Sequence, residues 1–360
     1  MRTAERTSQA IEIARITCIF FVMYVHVVSG SSGFPVTGQF SADDVLFRVF
    51  ATTLGQASVP LLTVLSGWLA YSTTKAYPEM LRGKVGRLVV PLILWNAVML
   101  LLMVAHELAG GREDLPRTLR DWFTALSGIG GKPANIPLGF LRDLFLTFAI
   151  FPLLRWIVDK WGPFAVLLAF AFTIIVPTTP VLQRTMILAF FTLGLWLRSV
   201  EISKINSKTV ALCAIWAVTS LSYEFWSLAT TEPAATSRLV LVADRVAIAG
   251  IMWALCYRIA GTSLGQNLTK ISPIAFFLFC VHFPLFRVLA VPLQPIFGEL
   301  GEPLFPIYFM IQPILGLIAC FLIAKVVQPY VSLQKILNGG RPMTLGNSRT
   351  GSKRSEPVSP

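Results

Sequence analysis

Residues 11–26 read Ile-Glu-Ile-Ala-Arg-Ile-Thr-Cys-Ile-Phe-Phe-Val-Met-Tyr-Val-His, an apolar stretch interrupted by only a few polar side chains. A helix needs about 20 such residues to cross a hydrocarbon core of about 30 Å. Comparable stretches recur along the chain, and together they predict an all-α bundle of about ten transmembrane helices, at 11–29, 50–71, 88–106, 136–157, 162–178, 183–199, 208–228, 239–260, 271–291 and 304–327.

The composition agrees with lipid as the main solvent of this chain. Of its 360 residues, 55% are hydrophobic and 13% are charged, whereas soluble domains carry about 25% charged residues. The net charge of +12 is spread over many connections and forms no single basic face, so we expect no nucleic-acid partner. Five cysteines lie in apolar stretches without metal-ligand spacing, and we expect no metal site and no bound cofactor.

The distribution of basic residues predicts the orientation of the bundle. Connections on the side of the N-terminus are rich in Lys and Arg, whereas the main basic cluster of the opposite connections, at 112–132, is mixed with Asp and Glu. By the positive-inside rule both termini face the cytoplasm, which an even number of spans requires. We therefore expect a multi-pass protein of a bacterial inner membrane, in contact with membrane lipids.

The first stretch also has features of a secretory signal peptide, because a basic start, an apolar core and the small residues at 29–33 follow in order. We favour a retained span, since cleavage there would leave the remaining spans facing the wrong charge pattern. Two polar segments lie outside the spans. Residues 115–126 predict an amphipathic interfacial helix on the outer face. Residues 336–360 predict a disordered basic cytoplasmic tail after a membrane domain at 1–335.

Three charged or ionisable residues within the first span need an explanation, because each charge inside lipid costs about 2.5–3.5 kcal/mol or more. Arg15 and His26 are eleven residues apart, so they lie on one face of an α-helix and are separated by a rise of about 16 Å. Glu12 stands three residues before Arg15 and can pair with it. Alternatively, Glu12 and Arg15 are boundary charges and His26 only joins two helices by a hydrogen bond.

Five motifs in the same order resemble the acyltransferase 3 family of integral-membrane acyltransferases. The first is the acidic residue, Arg and His at Glu12, Arg15 and His26. The others are residues 54–69 with Pro60 and the pair Ser66-Gly67, the basic lead-in at 81–91, the Leu-Arg-Asp-Leu box at 141–144 and the His-x-Pro segment at 271–284. The chain departs from the family pattern at Lys84, where Arg is common, at Gly139, where Trp is usual, and before His282, where Tyr is usual.

The resemblance implies acyl transfer from a cytoplasmic acyl-CoA to a sugar hydroxyl. Arg82, Lys84 and Arg87 are expected to bind the phosphates of the donor. His26 is expected to activate the hydroxyl or to carry the acyl group transiently, with Arg15 and Glu12 at the donor and an acid such as Asp143 orienting the imidazole ring. The expected acceptor-binding or supporting residues are Arg142, Ser66, His282, Asp244 and Arg245.

The acyl group and the acceptor stay open at this point. Acetyl is favoured, and succinyl is the alternative because its second carboxylate suits an extra cation such as Arg142 or Arg245. The expected acceptor is an exopolysaccharide or a lipid-linked oligosaccharide. A carrier or flippase of a lipid-linked sugar also places charges in a multi-span bundle, but we detect no internal repeat in the sequence. A structural or signalling membrane protein would tolerate replacement of Arg15 and His26.

Overall fold

A computed structural model describes residues 3–27, 42–202, 204–230 and 237–343, and the described residues form helices joined by turns and irregular segments, without a β-strand. The α-helices are α1 Thr3–Val25, α2 Ala42–Leu46, α3 Gln56–Tyr71, α4 Tyr77–Lys84, α5 Val90–Leu108, α6 Leu119–Ser127, α7 Gly139–Ala149, α8 Phe151–Trp161, α9 Pro163–Ile175, α10 Met186–Ser199, α11 Ser207–Ala229, α12 Arg238–Ile259, α13 Ser263–Ile271, α14 Ala275–Phe297, α15 Phe305–Val327 and α16 Val331–Leu337. The predicted all-α class is confirmed.

Within the described residues, seven helical stretches are long and apolar enough to cross a membrane: Thr3–Val25, Asp44–Tyr71, Tyr77–Leu108, Ser207–Ser227, Arg238–Ile259, Ser263–Phe297 and Phe305–Val327. An eighth is counted if α7 and α8, which are bent by 64° at their junction, form one broken span. The helices α9 and α10 have 13 and 14 residues and rise about 20 Å each, which is less than the hydrocarbon core. The predicted number of ten spans and the orientation of the termini stay predictions.

The first helix forms the centre of the bundle. Ile16, Ile19 and Val22 belong to the larger hydrophobic core, whereas Ala14 and Cys18 belong to a second core shared with α3 and α12. α1 also contacts α13, α14 and α15. Because the helix is packed on all sides by the rest of the chain, its position argues against a cleaved signal peptide.

Two glycines let α3 and α10 cross at very short distance. A Cβ atom added to Gly67 would lie 2.2 Å from the carbonyl oxygen of Phe191, and one added to Gly194 would lie 2.1 Å from that of Val64. Real side chains do not tolerate such distances, so the backbones meet only because both positions lack a Cβ. The Gly of the Ser66-Gly67 pair therefore has a packing role.

Two stretches adopt π-helical hydrogen bonding, Phe47–Gly55 before α3 and Val85–Val89 before α5. Each continues into the α-helix that follows it, so each span contains a local change of helical register. π-helical turns occur mostly as short interruptions of α-helices, often at functional sites. The hydropathy pattern does not reveal them.

The predicted interfacial helix corresponds to α6. Thr118 and Asp121 form a capping box at its start, in which each residue's side chain accepts a hydrogen bond from the other's backbone N–H. Hydrogen bonds of the Asp121 carboxylate with the side chain and the backbone N–H of Thr118 lower the pKa of Asp121 below its ordinary value. The apolar side chains of Leu119 and Phe123 are exposed on this helix, as an interfacial position requires.

The packed part of the chain continues past the boundary predicted at residue 335. The helix α16 ends at Leu337, and Asn338 and Met343 are both buried. Met343 belongs to the larger hydrophobic core. The remainder of the predicted tail, residues 344–360, lies outside the described residues.

Candidate active site

His26 follows the last residue of α1 and faces a second histidine. Its ring centroid lies 5.4 Å from that of His282 in α14, and its edge packs against Phe283. His282 is fully buried. The structure thus brings together two of the predicted site residues from opposite ends of the sequence.

The hydrogen bonds of His282 fix its tautomer. Its Nδ1 atom lies 2.8 Å from the carbonyl oxygen of Phe279 and 3.2 Å from that of Leu278. Carbonyl oxygens only accept, so we assign the ring proton to Nδ1. The Nε2 atom then carries a lone pair, and among the described residues it has no hydrogen-bond partner. A buried acceptor without a donor is rare, and it indicates that a bound ligand or an added proton supplies the missing hydrogen bond.

Pro284 gives the His-x-Pro segment a second function. Proline has no N–H, so in an α-helix it leaves the carbonyl four residues earlier without its usual donor. That carbonyl belongs to Cys280, and it accepts instead from the side-chain Nδ2 of Asn135, at 2.9 Å. The bond ties the loop before α7 to α14, close to His282.

A cavity of about 220 Å³ opens beside His26. Its polar or charged lining residues are His26, Gln56, Thr63, Arg184 and Arg245, and the rest of its wall is largely apolar. Gln56 is the first residue of α3, directly after the π-helical stretch that ends at Gly55. Gly55 touches the end of α1, since a Cβ there would lie 2.5 Å from Val25.

Two arginines supply positive charge to this cavity. Arg245 is half-buried and donates from Nη2 to Oε1 of Gln56 at 2.7 Å. Its Nη1 atom lies 2.9 Å from the sulfur of Met186. Arg184 also lines the cavity and is exposed to solvent, and it acts electrostatically on both His26 and Arg245. The cavity therefore favours an anionic group or a developing negative charge.

Asp244, although adjacent to Arg245, points elsewhere. Its Oδ1 atom accepts from the indole Nε1 of Trp216 in α11 at 2.8 Å. Asp244 therefore joins α11 to α12, and the structure separates it from the cavity-lining residues. Its predicted role in acceptor binding stays a prediction.

The predicted pair Arg142 and Asp143 is buried at the start of α7. Asp143 accepts from Arg142 Nε at 2.9 Å, and its carboxylate also accepts from the backbone N–H groups of Gln183 and Arg184, at 3.3 and 3.1 Å. Arg142 in turn donates to the carbonyl oxygen of Gly128. These bonds hold the backbone that carries Arg184 to the cavity. The predicted role of Asp143 as the orienting partner of His26 stays a prediction.

A second cluster of cations, which we call the basic end, lies around the middle of α1, eleven residues before His26. Its members are Arg15, Lys84, Arg87, Arg341 and Glu12. Arg341 acts electrostatically on Arg15 and Lys84, Arg87 and Arg15 act on Lys84, and Glu12 attracts Arg15. Lys84 Nζ also lies 3.7 Å from the ring centroid of Phe148. Since α1 is continuous from Thr3 to Val25, Arg15 and His26 are about 16 Å apart along the helix axis.

Two further predicted site residues, in addition to Asp244, Arg142 and Asp143, fall outside both the cavity lining and the basic end. Arg82 is exposed on α4, two residues before Lys84. Ser66 donates to the carbonyl oxygen of Leu62 in its own helix at 2.8 Å, and it does not appear among the residues lining the cavity. Their proposed contacts with donor and acceptor stay predictions.

Sequence reasoning missed four polar or charged residues of these clusters: Gln56, Thr63, Arg184 and Arg341. A signal was present for Arg184, because it stands near the start of an apolar stretch without an acidic residue nearby in sequence. Gln56 gave no signal, since one amide in a mostly apolar stretch is common. Arg341 was assigned to the disordered tail.

Comparison with known proteins identifies the family. A family model described as an acyltransferase domain matches residues 8–326, nearly the whole chain. The chain is similar to the succinoglycan biosynthesis protein ExoH of Rhizobium meliloti (strain 1021), with 26% identity over 362 residues, covering 96% of this chain and 94% of the relative. No solved structure matches the chain significantly. The multi-pass helical bundle, the ordered motifs and the family match together show that this chain belongs to the acyltransferase 3 family of membrane acyltransferases.

Proposed function

We propose that this protein transfers an acyl group from acyl-CoA, bound at the basic end, to a sugar hydroxyl of a surface polysaccharide or its lipid-linked precursor, bound beside His26. The observation that carries the proposal is the position of His26, on the wall of a cavity that also contains two arginines. The name of the relative, a succinoglycan biosynthesis protein, supports a polysaccharide acceptor. The positive-inside rule supports a basic end that faces the cytoplasm of a bacterial inner membrane.

The proposed reaction uses His26 as the general base. The acceptor hydroxyl oxygen attacks the thioester carbonyl carbon while His26 takes the hydroxyl proton. Negative charge develops on the carbonyl oxygen, where Arg184 or Arg245 stabilises it. The carbon–sulfur bond then breaks, and the departing coenzyme A thiolate takes up the proton from His26. No oxidant, metal or further reactant is needed.

The donor geometry follows from the positions of Arg15 and His26 along α1. Phosphates of coenzyme A suit Arg15, Lys84 and Arg87, because guanidinium groups bind phosphate bidentately and ammonium groups supply a compact charge. The axial offset of about 16 Å between Arg15 and His26 leaves room for an extended pantetheine arm. The thioester then lies near His26 while the nucleotide stays at the basic end.

Between acetyl and succinyl, the cavity favours succinyl. Two arginines line the same 220 Å³ space, and a single developing oxyanion requires only one of them. The terminal carboxylate of a succinyl group would bind the other arginine through charge-assisted hydrogen bonds. We therefore propose succinyl as the preferred acyl group and acetyl as the alternative.

The test is mass spectrometry of the surface polysaccharide from strains with wild-type protein, without it, and with His26→Ala at matched expression. His106→Asn is the control, because His106 is half-exposed and pairs with Glu113 away from the cavity. An acyl mass increment present in wild type and control, and absent from the null and His26→Ala strains, supports the proposal. Full acylation in all strains contradicts the proposed acceptor. Loss of the whole polymer from the surface without the protein indicates a flippase.

A further inference from the structure

The C-terminal segment after α16 is anchored on the helical bundle. Asn338 donates from Nδ2 to the carbonyl oxygen of Pro273 at 2.9 Å, and its Oδ1 accepts from the backbone N–H of Phe277 at 3.0 Å. Met343 N donates to Oε1 of Gln334 at 2.7 Å. Because Asn338 and Met343 are both buried, residues 334–343 are part of the folded domain.

This segment crosses the bundle at the basic end. Gly339 has a φ of +59°, and a Cβ added there would lie 3.2 Å from the carbonyl oxygen of Arg87 and 2.8 Å from the ring of Phe276. Trp95 Nε1 lies 3.4 Å from the carbonyl oxygen of Leu337. The backbone of the segment therefore runs directly beside the residues that begin α5.

The path of the segment adds a cation to the cluster. Arg341 follows Gly339 by two residues, is exposed, and acts electrostatically on Arg15 and Lys84. Among the described residues, Arg15 and Lys84 have Arg87 and Arg341 as cationic neighbours and Glu12 as an acidic one, and like-charge repulsion within such a group opposes folding. Such an arrangement is explained if an anion with several negative charges occupies it.

We propose that residues 338–343 form one wall of the donor-binding site and that Arg341 binds a phosphate group of coenzyme A. The inference rests on the proposed function and extends it, since it adds a site residue from a segment with no role in the sequence-based mechanism. Coenzyme A carries a pyrophosphate and a 3′-phosphate, so it presents phosphate charge at two places. Lys84 and Arg87 approach the donor from α4 and from the π-helical stretch before α5, and Arg341 approaches it from the C-terminal segment.

The experiment compares Arg341→Gln with Arg341→Lys and with the control Lys335→Gln, which removes an exposed cation of α16, outside the proposed wall. Each purified protein is assayed with acyl-CoA and with 3′-dephospho-acyl-CoA. Loss of one charge-assisted phosphate contact is expected to raise the donor KM about tenfold. The expected kcat and acceptor KM are unchanged, Lys at position 341 restores part of the affinity, and Lys335→Gln behaves as wild type.

The two donors locate the contact. If Arg341→Gln loses its effect with the dephospho donor, Arg341 binds the 3′-phosphate; if the effect persists, Arg341 binds the pyrophosphate. Both results support the inference. An unchanged donor KM in Arg341→Gln overturns it, and so does an effect seen only in nanodiscs with anionic lipid and absent in neutral detergent, which would assign Arg341 to lipid headgroups.

The outcome also separates this inference from the proposed function. If wild-type protein uses acyl-CoA and Arg341→Gln has the wild-type donor KM, only the role of Arg341 is overturned. If wild-type protein does not use acyl-CoA, the donor assignment itself is overturned. A thermal unfolding midpoint of Arg341→Gln equal to that of wild type shows that a raised KM does not reflect misfolding.

Discussion

The ring centroids of His26 and His282 lie 5.4 Å apart, with the ring planes inclined by 48°. His282 presents an unprotonated Nε2, because its Nδ1 proton is directed at the carbonyl oxygens of Leu278 and Phe279. A neutral acceptor beside the proposed base can receive a hydrogen bond from the protonated ring or from the acceptor hydroxyl. Both interactions would strengthen as the proton moves to His26.

The first prediction isolates the Nε2 atom of His282. In His282→Asn, the side-chain amide can still donate to the backbone carbonyls in place of Nδ1, but the acceptor at the position of Nε2 is lost. We expect a folded protein whose kcat falls by about 10-fold to 100-fold, less than for the base His26, whose loss is expected to cost about 100-fold to 10,000-fold. Turnover of purified variants measures this effect. Wild-type kcat in His282→Asn would show that His282 only joins helices.

The second prediction concerns the choice of acyl group. Arg245→Gln removes a cation from the cavity, so kcat/KM with succinyl-CoA is expected to fall about 10-fold to 100-fold more than kcat/KM with acetyl-CoA. Arg238→Gln, at the exposed start of the same helix, is the matched control and should change neither donor. Equal losses with both donors would assign Arg245 to the oxyanion.

The third prediction concerns the crossing of α3 and α10. Gly67→Ala places a methyl group within 2.2 Å of the Phe191 carbonyl oxygen, so the helices must move apart, at a cost of about 1–3 kcal/mol or more. Gly83→Ala is the control, because a Cβ there meets nothing within 4 Å. It should be neutral or stabilise helix α4 by about 0.5–1 kcal/mol. Thermal unfolding in detergent compares them, and equal midpoints contradict the packing role.

The fourth prediction concerns the buried pair Arg142 and Asp143. Asp143→Asn leaves the guanidinium of Arg142 buried without a compensating charge, which is expected to destabilise the protein by about 3–5 kcal/mol. The double variant Arg142→Gln/Asp143→Asn removes both charges and should recover part of that loss. Chemical or thermal unfolding of the single and double variants gives the coupling, and additive effects would show that the ion pair is not coupled in the folded state.

The sequence predicts the fold class and the separation of the site into a basic end and a region around His26. It predicts the contacts within each of these regions less well. Apolar stretches locate the helices because lipid requires continuous apolar surface. Helical periodicity places Arg15 and His26 on one face of α1, and the structure has Arg15 in the basic end and His26 at the cavity. Lys84 and Arg87 join Arg15 as expected, since they lead into a span on the same side.

Other features depend on contacts between distant segments, which one sequence does not reveal. The proximity of His26 and His282 follows from the packing of α14 on α1. The polar composition after residue 336 predicts disorder, yet Asn338 satisfies two backbone groups and Met343 fills a core position. Hydropathy also cannot distinguish a short apolar helix such as α9 from a full span when its flanking turns are apolar.

The π-helical stretch Phe47–Gly55 constrains how this chain can change its length. Its backbone hydrogen bonds join residues that are five apart, whereas those of an α-helix join residues that are four apart. The stretch therefore holds more residues than an α-helix of the same rise. Deleting one residue from 47–54 would therefore permit α-helical bonding and leave the side chains on both sides of the stretch facing the same way. The same deletion in the regular helix α3 would rotate all preceding side chains by about 100° relative to those that follow. A one-residue deletion should therefore be tolerated better in the π-helical stretch than in α3.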